Sequence, residues 1–165
     1  MTALGRPIPS SGKPGLDVSP VIPAAKGTYF LVLRLDSPSL IQVGRFGKYP
    51  FQAGYYLYCG SAMGCGGLKA RLNRHLSGIS KPHWHIDWLR RETVVTGWGI
   101  HIGLVSLECV WSQEFVHLPG ATIAVPGFGA SDCVQGCWAH LVHFRDEPVV
   151  DNRVKLGNVN IWRIV

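Results

Sequence analysis

Acidic residues are scarce in this chain: 10 Asp and Glu stand against 16 Lys and Arg, which gives a formal net charge of +6 and a pI near 9.3. That balance favours a polyanionic partner over a cationic one. A long apolar run is also missing. The longest candidate, residues 93–107, is interrupted by Gly97, Gly99, His101 and Gly103 and is too polar and too short to span a bilayer. There is no apolar leader of the secretory type, no internal repeat, and no Cys-x-x-Cys pair among the five cysteines. An odd cysteine count without an export signal points to reduced thiols in a cytoplasm rather than a disulfide framework.

What is present suffices for a core. With 165 residues, 47% of them hydrophobic, and six tryptophans, the chain fits one domain better than two. Residues 1–26 carry Pro7, Pro9, Pro14, Pro20 and Pro23 among serines and glycines without apolar periodicity, and are expected to stay disordered. Residues 28–35 (TYFLVLRL), 40–44 and 54–59 read as three consecutive antiparallel strands joined by turns at Asp36-Ser37-Pro38 and Phe46-Gly47. A glycine-rich loop, Gly64-Cys65-Gly66-Gly67, leads into a helix over 68–76 that ends near Gly78. Such a loop can cradle phosphate with backbone amides, but a simple hinge into the helix is preferred.

Pro82 opens a second helix over 83–91 whose Trp84 and Trp88, four apart, are expected to bury against the sheet. Residues 93–102 read as a further strand. Ser106 then offers an N-cap to a helix with Leu107, Trp111, Phe115 and Leu118 on its apolar face and Glu108 in its first turn. Residues 121–130 read as a loop, 133–144 as a short element of open type, and 159–165 as a last edge strand. The fold class expected is α+β, a small, mainly antiparallel β-sheet flanked by helices.

Arg71 and His75 lie four apart on the first helix, on one side of it, bordering the stripe of Leu68, Leu72 and Leu76. Groups so placed at the edge of a core, next to an aromatic strand, can meet a phosphate on the floor of a groove. Taken singly, Tyr29 and Tyr58 are ordinary strand aromatics, Arg71 is a stem-packed side chain, and Glu108 is a helix-start carboxylate favoured by the dipole.

Their order changes that reading. Gly27-Thr28-Tyr29, Tyr58-Cys59-Gly60, Arg71 with His75, and Glu108 follow one another in a sequence that resembles the GIY-YIG nuclease superfamily. Gly60-Ser61-Ala62 and the WHID box, Trp84 to Asp87, look like its little-characterised GIY-YIG-like subgroup. The resemblance covers residues 27–144 and leaves 1–26 as an N-terminal segment and 145–165 as a C-terminal extension. It implies a metal-dependent endonuclease cleaving DNA phosphodiesters, with Tyr29 or Tyr58 helping to activate water, Arg71 holding the scissile phosphate and Glu108 binding one Mg2+ or Mn2+. It also implies nucleic-acid contacts from Lys69, Arg74, Gly60 and Ser61. The partner expected is DNA or structured nucleic acid; neither a membrane nor a protein partner is implied.

Arginine's planar donor fork matches phosphate oxygens at any working pH, and a single carboxylate leaves most of a magnesium shell to water and substrate. A tyrosine with an ordinary pKa of about 10 needs nearby positive charge to serve as a base; His75 is the alternative base. The chain departs from the family pattern in three places. The segment 40–51 between the tyrosine motifs is longer, Thr28 and Cys59 stand where isoleucine is usual, and the late asparagine is replaced at best by Asp132.

Two further clusters are weighed. His83, His85 and Asp87 suggest metal, but the histidines diverge on a helix, so Asp87 is expected to fix a neighbour by hydrogen bond. Cys133, Cys137 and His140 fall at i, i+4 and i+7, and Cys109 would be a fourth zinc ligand. Without a Cys-x-x-Cys pair, cysteine as a small buried hydrophobe is preferred to zinc. The rival functions are a non-catalytic nucleic-acid-binding domain of the same fold and a zinc-stabilised interaction domain using the tryptophans.

Overall fold

The computed structural model describes residues 20–151 and 156–164, and the described residues form seven strands and three helices. In chain order these are β1 (Gly27–Leu35), β2 (Ser39–Val43), β3 (Gly47–Phe51), β4 (Gly54–Ala62), α1 (Gly67–Ser77), α2 (His85–Arg90), β5 (Val94–Ile102), α3 (Glu108–Val116), β6 (Leu141–Phe144) and β7 (Asn160–Arg163). Five strands make one antiparallel sheet in the order β6-β4-β1-β5-β7, while β2 and β3 form a separate hairpin. The expected small antiparallel α+β fold is therefore observed. None of the helices is long and apolar enough to cross a membrane.

β1 is central because almost every side chain along it is apolar and buried. The pleat sends alternate residues to opposite faces. Tyr29, Leu31, Leu33 and Leu35 pack with Leu68, Leu72, Ile86 and Leu89 from α1 and α2. Phe30 and Val32 pack on the other face with Trp111 and Phe115 of α3 and with Val150 and Leu156. The sheet is thus covered on both sides, and the C-terminal extension belongs to its architecture through β7 and Leu156.

Several expectations are corrected. The second of the three expected strands is half of a two-stranded hairpin outside the main sheet, and its partner β3, with an alternating burial pattern and Pro50, was not anticipated. α2 buries Ile86 and Leu89; Trp84 and Trp88 are only half-buried. Residues 131–140 form turns rather than a helix, and only 141–144 become a strand. The expected disorder of 1–26 falls on undescribed positions for residues 1–19. Residues 23–26 instead pack against the start of α1: Leu68 N donates to Ala25 O at 2.8 Å and Lys69 N to Pro23 O at 3.1 Å. Those bonds occupy the helix's first amides, so they do not form an anion cradle. The glycine loop is the hinge expected, with Gly66 and Gly67 at φ 82° and 54°.

Candidate active site and metal centre

Register brings the two tyrosines together. Tyr29 lies opposite Gly60 and Tyr58 opposite Leu31, so the phenols share one face of the sheet diagonally. Their ring centroids are 6.4 Å apart. Gly60 gives the Tyr29 ring its place: a Cβ there would stand 2.6 Å from the Tyr29 hydroxyl and 2.7 Å from its Cζ. Behind the phenol, Tyr29 Oη is 2.9 Å from Nε2 of His75, whose ring is fully buried.

Burial drives the His75 pKa down to about 4, opposed by Asp87 and reinforced by the neighbouring arginines, so the imidazole is neutral at physiological pH. Burial likewise pushes the Tyr29 phenol above its ordinary value, with Arg71 pulling the other way. Tyr58 moves in the same direction for the same leading reason.

Arg71 leaves the buried stripe of α1 at the cavity rim, where its guanidinium carbon sits 3.9 Å from the centroid of the Trp84 ring. Trp84 is held by Asp87. The buried Asp87 carboxylate accepts from Arg74 Nη2 at 2.7 Å, His83 N at 2.8 Å and Trp84 N at 3.1 Å. Burial alone would raise its pKa, but these three donors hold it below the ordinary carboxylate value. The expected hydrogen-bonding role of Asp87 is thus observed. His85, rather than ligating, accepts from Gly129 N at 3.1 Å and stacks on Phe46.

Glu108 arrives from the opposite side of the sheet. α3 packs on the Phe30 face, and β6 pairs with Tyr55–Tyr58 of β4 while Cys59 N donates to His140 O at 3.0 Å, so that Gly60–Ala62 at the strand's end lie beyond this pairing. There the first turn of α3 is anchored by the two residues that replace isoleucine. Leu107 N donates to Thr28 Oγ1 at 2.8 Å, and the Cys59 thiol donates to Glu108 O at 3.4 Å. Both side chains are fully buried. The anticipated cap at Ser106 accepts from Glu108 N at 3.3 Å, while the position immediately before the helix is Leu107.

A cavity of about 540 Å³ is lined by Tyr29, Tyr58, Ser61, Arg71, Glu108 and Asp132, among others. The expected site residues therefore converge, with four exceptions. His75 is hidden behind Tyr29 and does not line the cavity; Arg74 is tied to Asp87 and to Lys81 O; Lys69 is exposed outside it. Gly60 acts by making room for Tyr29.

Cys109, Cys133 and His140, which also line the cavity, belong to a cysteine cluster. The candidate ligand atoms of Cys109, Cys133, Cys137 and His140 all lie within 4.8 Å of one another, so the group could hold a metal ion. Cys109, Cys133 and Cys137 are only half-buried, which overturns their reading as buried hydrophobes. They meet through turns of an irregular loop, with Gly136 at φ 71°, so the helical spacing that suggested the cluster is not what assembles it. Sequence reasoning missed the contact of Glu108 Oε1 with His140 Nδ1 at 3.0 Å, for which no local signal exists.

No curated protein and no solved structure matches the chain. Residues 28–159 match the family model described as a domain of unknown function, DUF123, and this span takes in every strand but the last together with the whole cavity. The chain therefore belongs to the DUF123 family.

Proposed function

We propose that the chain is a metal-dependent endonuclease of the GIY-YIG type that cleaves phosphodiester bonds in DNA. The observation that carries this reading is the convergence of Tyr29, Tyr58, Arg71 and Glu108, far apart in sequence, on one cavity. Arg71, braced on Trp84, would grip the scissile phosphate through its donor fork. Tyr29 would take a proton from the attacking water while its own passes to Nε2 of His75, 2.9 Å away. The negative charge of the bound phosphodiester raises the proton affinity of that imidazole. The depth of His75 behind Tyr29 favours Tyr29 as the group facing substrate, with His75 as its buried proton acceptor.

Glu108 fits a hard divalent cation, Mg2+ or Mn2+, because it offers a carboxylate at the cavity, which Asp132 also lines. Such an ion would supply charge stabilisation to the phosphate during cleavage. Among the other expected contacts, Ser61 lines the cavity and is retained as a nucleic-acid contact, and the surplus of basic residues supports a polyanionic partner.

The test is nicking of supercoiled DNA with Mg2+ or Mn2+. Wild type is expected to nick, and Arg71→Ala, Glu108→Ala and Tyr29→Phe are each expected to lose about 100-fold or more in rate with folded structure retained. Salt-sensitive DNA binding with no cleavage under any metal would instead establish the non-catalytic binding domain.

A further inference from the structure

The geometry points to a structural zinc site formed by Cys109, Cys133, Cys137 and His140, which fastens the loop before β6 to the first turn of α3. A tetrahedral zinc with three thiolates and one imidazole places its sulfurs about 3.8 Å apart and its nitrogen about 3.6 Å from each sulfur. Cys109 Sγ is 3.5 Å from Cys133 Sγ and 4.0 Å from His140 Nε2. A disulfide would bring two sulfurs to about 2.05 Å and leave the other two donors without a task. Soft thiolates with one imidazole select zinc over the hard cation proposed for Glu108.

Two independent features support the assignment. His140 turns Nε2 toward the thiols and Nδ1 toward Glu108 Oε1 at 3.0 Å. That places a carboxylate within ion-pair distance of the ring nitrogen facing away from the thiols, the position from which a carboxylate orients a ligating histidine in zinc sites. The turn that carries Cys133 and Cys137 is also not held by core packing. Val125 and Phe128 bury the loop's earlier part in the core, whereas the turn 131–138 contains no helix or strand. Its apolar residues Val134 and Trp138 stand 98% and 73% exposed, so hydrophobic burial does not hold this part of the chain. Four ligands on two segments would do so.

The site has a consequence for the cavity, which rests on the proposed function. One oxygen of Glu108 is engaged by His140, which leaves the other for the cation, and the loop residues Cys133, Val134 and Gln135 form part of the cavity lining. Zinc would then set the position of both.

Full-length protein purified without a histidine tag or chelator should contain about one zinc per chain by elemental analysis. Exchange with Co2+ should give the visible d–d bands of a tetrahedral thiolate site, and Cys133→Ser should lose them. Glu108→Gln, which leaves all four ligands in place, should bind stoichiometric zinc about 10- to 100-fold more weakly in a chelator competition. Metal-free protein that takes up no cobalt, a bound iron–sulfur cluster, or a Cys109–Cys133 disulfide found by mass spectrometry would each overturn the assignment. None of these readouts uses DNA, so loss of the nuclease reading would leave the zinc result standing, and the reverse.

Discussion

Gly60→Ala tests the packing that places the Tyr29 phenol. The added methyl would stand 2.6 Å from the hydroxyl, 2.7 Å from Cζ and 3.1 Å from Cε1 of that ring. Ordinary carbon contacts are about 3.5–4.0 Å, so the ring must move by about 1 Å. The ring is almost fully buried, and the move breaks its 2.9 Å contact with His75. Overpacking costs about 1–3 kcal/mol and the lost hydrogen bond about 1 kcal/mol, so a destabilisation of about 2–4 kcal/mol is expected. The backbone does not account for it, because Gly60 has no positive φ. In a Tyr29→Leu background, where the methyl has no ring to meet, the same substitution should be neutral or stabilising by up to about 1 kcal/mol through the unfolded chain. Denaturant unfolding of the four proteins in the cycle measures the coupling. An equal cost of Gly60→Ala in both backgrounds would refute the argument that the glycine exists to seat the phenol.

Asp87→Ala leaves two backbone amides without their acceptor and Arg74 with only Lys81 O; because Arg74 is 31% exposed and can turn to water, a loss of about 3 kcal/mol in denaturant unfolding is expected, at the low end for a buried pair. His75 has a folded pKa of about 4, below its ordinary 6.5, so its contribution is present above pH 6.5 and is lost as pH falls toward 4. That amounts to about 3 kcal/mol, and the pH dependence of unfolding in this window should flatten in His75→Leu. Asp87, whose pKa is lowered, adds stability above its ordinary value that disappears in stronger acid, so both groups make the protein acid-labile. Thr28→Val removes the acceptor of the Leu107 amide and should destabilise by about 1–3 kcal/mol, with a fall in any nicking activity larger than that of a distant variant of equal stability.

The elements with a strong signal were legible. The aromatic, β-branched run of β1, the leucine stripe of α1 and the apolar face of α3 each sit within one or two residues of the expected bounds. The order of Tyr29, Tyr58, Arg71 and Glu108 was enough to expect them around one cavity, which all four line. The misses share a cause. β3 and β6 are short, and their pairing depends on partners brought by the fold rather than on local pattern. The cysteines converge through turns whose backbone has no period, so a helical template found the right residues for the wrong reason. His75 was visible, but its depth behind Tyr29 was not, because burial of a polar residue on a helix follows from what packs over it.

The substitutions at the two tyrosine motifs show why the site tolerates losing isoleucine. In β1 and β4, one face supplies the phenols of Tyr29 and Tyr58, and the other supplies Thr28 and Cys59. Thr28 and Cys59 each bond the backbone at the start of α3 and so fix the residue pair Leu107–Glu108. An isoleucine at either position would be bulkier and offer no polar atom: at 28 the Leu107 amide would lose its acceptor, and at 59 the Glu108 carbonyl would lose the thiol donor. The alternation of the strand therefore joins the two halves of the cavity: a one-residue slip of β1 would turn the phenol away from His75 and release α3 in the same step. The distance between Glu108 and the tyrosines is set through the sheet itself, so strand register, more than the length of any loop, decides whether the cavity carries its acid.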